Sequence, residues 1–463
     1  MAALWGTVLT KSGDGHALAA HLRLRLGLPM GLTDIHPHPR PVGTRPLVPS
    51  VPLFAAPRVL VDGVGLAAVA ASAAGRGMPV IGADPVLERW ETVRALGLDQ
   101  IARAGLRIPP TTAVPTLASA IARLRDPALS DQTVYFKPDG DVPKALTLSA
   151  PAPMLAEVLT WLSHEPVARK IRGGVLQERV EGGTEVDCAY YLADGVPIAA
   201  TVTLEEKRLL AGNHGPATGC QLSLQRFLPL DHPLVGASIG RVLPWLADVR
   251  YSGPLDLTMI ATAAHEPPVG LEWTVRFGWD ATQGDFTLLD AEGPAFLDAL
   301  AGADTVPPAP PSDWSLTVRL ALPGLDPEER RALPAWTGYP LPPLLRVLGA
   351  TAAEPVWFWP DDVWERLDGT WVSGPTGILG VLSVRGTRLD TMAAHLGGVL
   401  RELRQAIPML VARTDVTGSF AERLDALQRL GLLRPGDVPE DARIMPASAA
   451  EMTIHDRSAI SAT

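Results

Sequence analysis

The stretch Gly270-Leu271-Glu272-Trp273-Thr274-Val275-Arg276-Phe277-Gly278-Trp279-Asp280-Ala281-Thr282-Gln283 decides how the chain is read. Its apolar lead-in, Val269 and Leu271, places Glu272 late on a strand, with Arg276 four residues further on. A carboxylate leaving a buried strand beside an arginine suits a hard divalent cation that also meets phosphate oxygens. The competing reading is an ordinary ion pair between the two side chains. Other stretches along the chain bear on the choice.

With 463 residues the chain is long enough for about two to four domains, each with its own core. Hydrophobic residues at 47% and charged residues at 19% fit a globular protein and exclude a disordered one. A formal charge of −10 argues against general nucleic-acid binding. Two cysteines, Cys188 and Cys220, make neither a disulfide framework nor a zinc site, which fits a reducing compartment. No basic segment with a cleavage site opens the sequence, and the apolar run 60–80 is broken by Asp62, Arg76 and Pro79. A cytoplasmic protein without a membrane span is expected.

Residues 4–9 read as a strand, 11–15 as a turn and 16–26 as a helix, an order that presents a helix N-terminus to an anion. A plain turn at Gly13-Asp14-Gly15 is the alternative. Residues 37–57 are proline-dense and read as an extended surface loop. Strands at 58–62 and 78–82 flank a helix at 65–75, and a helix is expected over 90–104. The β-rich run 133–137 closes on Lys137-Pro138-Asp139-Gly140; a lysine ending a buried strand is costly unless it meets an anion such as a nucleotide phosphate. A strand at 175–180 is followed by a turn and Glu185. Gly212–Gly219 is a glycine-rich loop whose backbone amides can cradle carboxylate or phosphate oxygens, or a simple surface turn. The strand at 251–260 carries Asp256. A proline linker spans 304–314, and strands at 315–322, 355–359 and within 371–384 precede a helix over 389–407. Trp357, Trp359, Trp364 and Trp371 form an aromatic core more simply than a base-stacking site. From Gly436 the chain turns polar and reads as a flexible tail.

The opening stretch, with Thr282-Gln283, resembles the Leu-Glu-Phe-Asn-x-Arg-Phe-Gly-Asp-Pro-Glu-Thr-Gln segment of phosphoribosylamine–glycine ligases, which are ATP-grasp enzymes. Collinear matches run from about Gly13 to Asp415. His16-Ala17-Leu18 matches the family's phosphate loop, Val93-Arg94 stands where it has Ser-Lys, and Lys137 and Gly140 match its Lys-Ala-Asp-Gly. Gln177-Glu178 through Glu185 resembles its adenine-binding hinge. Lys207-Arg208 with Gly215-Pro216-Ala217-Thr218-Gly219 resembles its Lys-Arg and Gly-Pro-x-Thr-Gly loop, and Arg413-Thr414-Asp415 its closing Arg-x-Asp.

The resemblance implies an N-terminal α/β (pre-ATP-grasp) domain over 1–104 and a two-lobed ATP-grasp core over 105–303. A Pro-rich linker at 304–314, a small C-terminal α+β domain over 315–435 and a tail at 436–463 follow. It implies ATP with Mg²⁺, or Mn²⁺ in its place. Lys137, Lys144, Glu178, Val180 and Glu185 would bind the nucleotide, and Arg276, Lys207 and Arg208 would act in catalysis. Gly13, Asp14, His16, Gly215, Thr218 and Gly219 would face substrate. Because the family's Asn ligand is Thr274 here, Asp256 is expected to join Glu272 and Thr274 at the metal. The expected reaction joins a carboxylate, as an acyl phosphate, to an amine: glycine or another amino acid to a nucleotide- or sugar-type amine. The protein would be a monomer or homodimer acting on small molecules.

The departures fall at Asp14, Ala217, Thr274, Trp279 and Ala281, positions that face substrate or metal in the family, and Asp141-Val142-Pro143 stiffens the flap. They point to altered substrate choice or, alternatively, to a catalytically silent homologue with a nucleotide-binding or structural role.

Overall fold

The computed structural model of the chain describes residues 3–11, 16–142, 146–246, 249–278, 280–302, 305–309, 311–323, 336–350 and 355–442. An eight-stranded, wholly antiparallel sheet organises them. Its order is Val269–Thr274, Gly253–Ala261, Thr184–Ala193, Val196–Leu210, His214–Leu228, Trp314–Ala321, Ile378–Gly386, Val356–Pro360. The strands expected beyond the proline linker thus extend the same sheet that carries Glu272. Strand periodicity divides this sheet cleanly, because successive side chains point to opposite faces. Val186, Cys188, Tyr190, Val202, Leu204, Leu222, Leu224, Leu255, Leu257, Trp273, Leu316 and Val318 enter one apolar core. The alternate residues, Glu185, Asp187, Thr203, Glu205, Ser223, Gln225, Asp256, Thr258, Glu272, Ser315 and Thr317, share the other face.

Helix Ala281–Leu289 covers the far half of that polar face. Gln225 Nε2 donates to the Ala281 carbonyl at 2.8 Å, Thr287 and Ser383 share a hydroxyl bond at 2.6 Å, and the Tyr191 hydroxyl donates to Asp285 at 2.7 Å. The near half, around Asp187, Glu205 and Glu272, faces a second, four-stranded sheet. This smaller sheet, in the order Thr111–Val114, Gly174–Glu178, Thr133–Pro138, Leu148–Pro151, is backed by helices Leu117–Leu124 and Ala152–Leu162 around their own apolar cluster. The segment leading into it meets the large sheet at Arg107, whose carbonyl accepts from Gly270 N at 2.9 Å.

The N-terminal part is a parallel four-stranded sheet, Met30–Asp34, Gly6–Thr10, Val59–Val61, Val80–Ile81, with helices His16–Leu24 and Ala67–Ala74. The proline-dense stretch contributes Thr44–Pro46 to a small sheet with Val363–Arg366 and Trp371–Ser373. Trp357, Trp359 and Trp371 are buried as core, Trp359 stacking on His21 with centroids 3.4 Å apart. Among the described residues no helix is long and apolar enough to cross a membrane.

Two expectations need correction. The helix expected over 90–104 is two helices, Glu88–Thr92 and Arg94–Arg103, because Val93 is extended at φ −114°, ψ 92°. The break frees Thr92 O to accept from Gly140 N at 2.7 Å and Arg94 N to donate to Asp139 Oδ1 at 2.8 Å, which docks the Lys137–Gly140 turn. The chain also stays folded past Gly436: Asp437 pairs with the buried His232 at 2.8 Å, and Asp441 accepts from Leu389 N at 2.8 Å. Residues 443–463 lie outside the described residues.

The N-terminal sheet is joined to the large one by a close glycine contact. Gly82 N donates to Ser252 O at 2.8 Å, and a Cβ on Gly253 (φ 135°) would lie 2.6 Å from Gly82 N. Gly253→Ala is therefore expected to destabilise the fold by about 1–3 kcal/mol, read by denaturant unfolding. An unchanged midpoint would show that the two backbones need not touch.

Candidate functional site

The site lies where the near half of the polar face meets the smaller sheet. Lys137 arrives from the smaller sheet and is 8% exposed. Burial lowers its pKa to about 8, with Glu272 and Glu185 opposing that fall and Arg94 and Lys207 adding to it. Glu272, from the edge strand of the large sheet, is ion-paired with Arg94, which the Val93 break brings to the start of its helix. Lys207 donates to Glu185 at 2.6 Å and lies 3.5 Å from Glu205. Burial alone would lower the Lys207 pKa; Glu185, Asp187, Glu205 and Glu272 together push it well above its ordinary value.

Asp256 stands opposite Thr274, and Thr258 opposite both Glu272 and Asp187, so the three expected metal residues share one face of neighbouring strands. Burial, then the Asp187 charge, raises the Asp256 pKa well above the carboxylate range. Asp187 is pushed up to about 8 by burial and then by Glu205, and Glu205 to about 7 by burial, with Asp256 and Glu185 adding to the rise. Among the described residues no group of three or more His, Cys, Asp or Glu is arranged to hold a metal by itself. Magnesium asks less than that in a nucleotide site, where one or two carboxylates suffice and phosphates and water supply the rest. Asp256 Oδ1 is buried without a hydrogen-bond partner, so Asp256, Glu272 and Thr274 fit such an ion.

The other expected residues are spread around this centre. Glu178 and Val180 are half-buried on the strand Gly174–Glu178 and the turn after it, with Glu178 N donating to Pro110 O at 2.9 Å. Arg208 donates to Gly215 O at 2.8 Å, and Thr218 Oγ1 accepts from Gln221 at 2.7 Å. Gly215 (φ 81°) and Gly219 (φ 92°) supply the left-handed turns of this loop. Its base is tied to the C-terminal segment, where Asp415 Oδ2 accepts from Gly212 N and Arg413 donates to Asn213 Oδ1, both at 2.9 Å. His16 is remote from this cluster, 3.8 Å from Asp34 at the N-terminal sheet. Arg276 is held by Glu91 at 3.1 Å and donates to the Phe277 carbonyl at 3.0 Å. The Glu272–Arg276 pair is thus replaced by Glu272–Arg94 and Arg276–Glu91. Gly13, Asp14 and Lys144 lie outside the described residues.

Arg94, Asp187 and Glu205 are the site residues that sequence reasoning passed over. The signal for two of them is simple: in Glu185-Val186-Asp187 and Glu205-Glu206-Lys207 the charged residues stand two apart, on one face of a strand. Arg94 has no such signature, since its role depends on a helix break.

No family model matches the sequence, and no curated protein matches it. Solved structures do. Phosphoribosylamine–glycine ligase from Thermotoga maritima is similar at TM-score 0.62 and 18% identity, covering 88% of this chain and 99% of that one. N5-carboxyaminoimidazole ribonucleotide synthetase from Thermus thermophilus is similar at TM-score 0.53 and 16% identity, covering 85% and 98%. The biotin carboxylase domain of Hydrogenobacter thermophilus 2-oxoglutarate carboxylase, solved with MgADP and bicarbonate, is similar at 0.54 and 10%, covering 86% and 90%. The chain has the ATP-grasp fold. At these identities the likeness establishes the fold alone.

The raised carboxyls give a pH prediction. Folded Asp187 keeps its proton up to about 8, whereas the unfolded residue loses it near the ordinary aspartate value of 3.8. Across that window the folded state binds more protons, so this group makes stability fall as pH rises, with no further loss above about 8. Asp187→Asn is expected to raise stability by roughly 1–3 kcal/mol at the alkaline end and by little at the acid end, measured by thermal unfolding against pH. A gain independent of pH would contradict this placement.

Proposed function

We propose that the protein is an ATP-dependent ligase that joins a carboxylate to an amine, an amino acid to a nucleotide- or sugar-type amine. The observation that carries this is the gathering of Lys137, Arg94 and Lys207 with Glu185, Glu272 and Asp256 where two sheets meet in an ATP-grasp fold. Buried cations facing a cleft edge are held at a cost that a polyanion offsets. Lys137 and Arg94 counter phosphate charge; Glu178 and Val180 flank the base at the hinge. Glu272 and Asp256, with Thr274, hold Mg²⁺. When bound, the magnesium nucleotide supplies an activated phosphoryl group for the substrate carboxylate. Lys207, kept charged by its carboxylate neighbours, steadies negative charge that develops on the reacting oxygen. Arg208 and the Gly215–Gly219 loop enclose the substrate side.

A second reading, a silent homologue, is favoured by the Arg94–Glu272 pair, since a guanidinium there takes the place of a metal ion. Nucleotide binding separates the two. Mg·ATP at about 100 times its Kd is expected to stabilise the wild type by about 2.7 kcal/mol, read as a melting shift. Glu272→Ala and Lys137→Ala should lose most of it, and wild type should release ADP when a competent carboxylate and amine are added. No shift at millimolar Mg·ATP would remove the ligase reading.

A further inference from the structure

The carboxylate that fits a metal is already engaged by a cation of the chain. Arg94 Nη1 donates to Glu272 Oε2, and the pair keeps contact with solvent, 12% of the Arg94 side chain and 22% of the Glu272 side chain being exposed. Lys137 feels both charges, so two cations and a carboxylate share this corner of the site. The backbone beneath them is fixed. Arg94 N donates to Asp139 Oδ1 at 2.8 Å, and Gly140 N donates to Thr92 O at 2.7 Å. The Glu91 carboxylate accepts from Val275 N at 3.0 Å, directly after the strand that carries Glu272. Arg94 opens the helix Arg94–Arg103 straight after the extended Val93. Its guanidinium can therefore change partner by rotation of its own side chain while helix and strand stay in place.

A guanidinium suits carboxylate and phosphate oxygens alike, so the two compete for it. A nucleotide polyphosphate carries several negative charges against the single one of Glu272, which favours the phosphate. A free divalent cation meets the opposite difficulty. At Glu272 it has to replace a guanidinium, with the Lys137 ammonium nearby, and it lacks the phosphate oxygens that complete a magnesium shell. We propose that Arg94 guards the metal position: it holds Glu272 until a nucleotide binds, then transfers to the phosphates and leaves Glu272 to the metal. The divalent ion thus enters only with the nucleotide or after it. Arg94 is in this sense a positioning residue for the metal ligand. The ordering rests on the nucleotide site of the ligase reading. It also gives the Arg94–Glu272 pair, which otherwise favours a silent homologue, a role in an active one.

Two titrations of the full chain test this. Free Mn²⁺, followed by the loss of its paramagnetic resonance signal, is expected to show no saturable binding to nucleotide-free wild type below about 1 mM. Arg94→Gln should bind it at least about tenfold more tightly, and adding Glu272→Gln should abolish that gain. In the second titration, AMPPNP in EDTA should bind Glu272→Gln at least about threefold more tightly than wild type, because Arg94 is then released to the phosphates. The same Glu272→Gln change made in Arg94→Gln should bring a clearly smaller gain. An equal gain in both backgrounds would reflect only the removal of a repelling carboxylate and would overturn the proposal. So would free Mn²⁺ binding to wild type as tightly as to Arg94→Gln. If Arg94→Gln does not fold, saturable Mn²⁺ binding by wild type that Glu272→Gln abolishes still overturns it. Mn·AMPPNP binding to wild type separates this from the wider reading. If it binds while either overturning result is found, the nucleotide site stands and the guarding role falls; if it does not bind, the ligase reading falls and takes this ordering with it.

Discussion

One constraint shapes the molecule: a sheet of eight antiparallel strands is covered on both sides, and one of its faces buries polar and charged groups beside the Tyr191–Phe227–Trp359 apolar cluster. The apolar face needs no further device, since alternating Leu, Val and aromatic residues fill a common core. The polar face is the demanding one. Its far half is satisfied by helix Ala281–Leu289, through Gln225, Thr287, Tyr191 and the Asp280–Arg319 pair at 2.7 Å. Its near half is left to charges that answer one another across two sheets. Carboxylates on the large sheet are met by Lys137 from the small sheet, Arg94 from a broken helix and Lys207 from within. Without those cations the face could not be closed over, and without the carboxylates the cations could not be buried.

That balance also explains why the connections around the site are so heavily tied. The Lys137–Gly140 turn is fastened to Thr92 and Arg94, and the Gly212–Gly219 loop to Asp415 and Arg413. Each tie fixes a backbone segment next to a group whose charge must stay in register with its partners. Asp280 starts the covering helix at φ 63°, a conformation an aspartate adopts more readily than most residues, and its carboxylate meets Arg319 there.

Much of this was legible in the sequence, and the legible part follows a rule. Strand periodicity exposes what sits on one face: Glu272, Asp256 and Lys137 were readable as strand-borne charges, the first two on the large sheet and Lys137 on the smaller one that faces it. Partnerships were not legible. Glu272 and Arg276 look like a pair in sequence, yet each finds its partner in the two short helices that meet at Val93, Arg94 for one and Glu91 for the other. Long-range pairing depends on where a helix breaks, and Val93 carries no glycine or proline to announce it. The continuity of the sheet across the proline linker was likewise hidden, because strand order is a property of register and not of local pattern.

The central claim is that a magnesium nucleotide lies between the two sheets, over Lys137 and Glu272. Hydrogen exchange of the backbone amides, with and without Mg·AMPPNP, tests this most directly. Slowed exchange confined to Thr133–Pro138, Gly174–Glu178 and Val269–Thr274 is the predicted result. Saturating nucleotide that leaves all three strands unchanged, or that protects only the N-terminal parallel sheet, would contradict it.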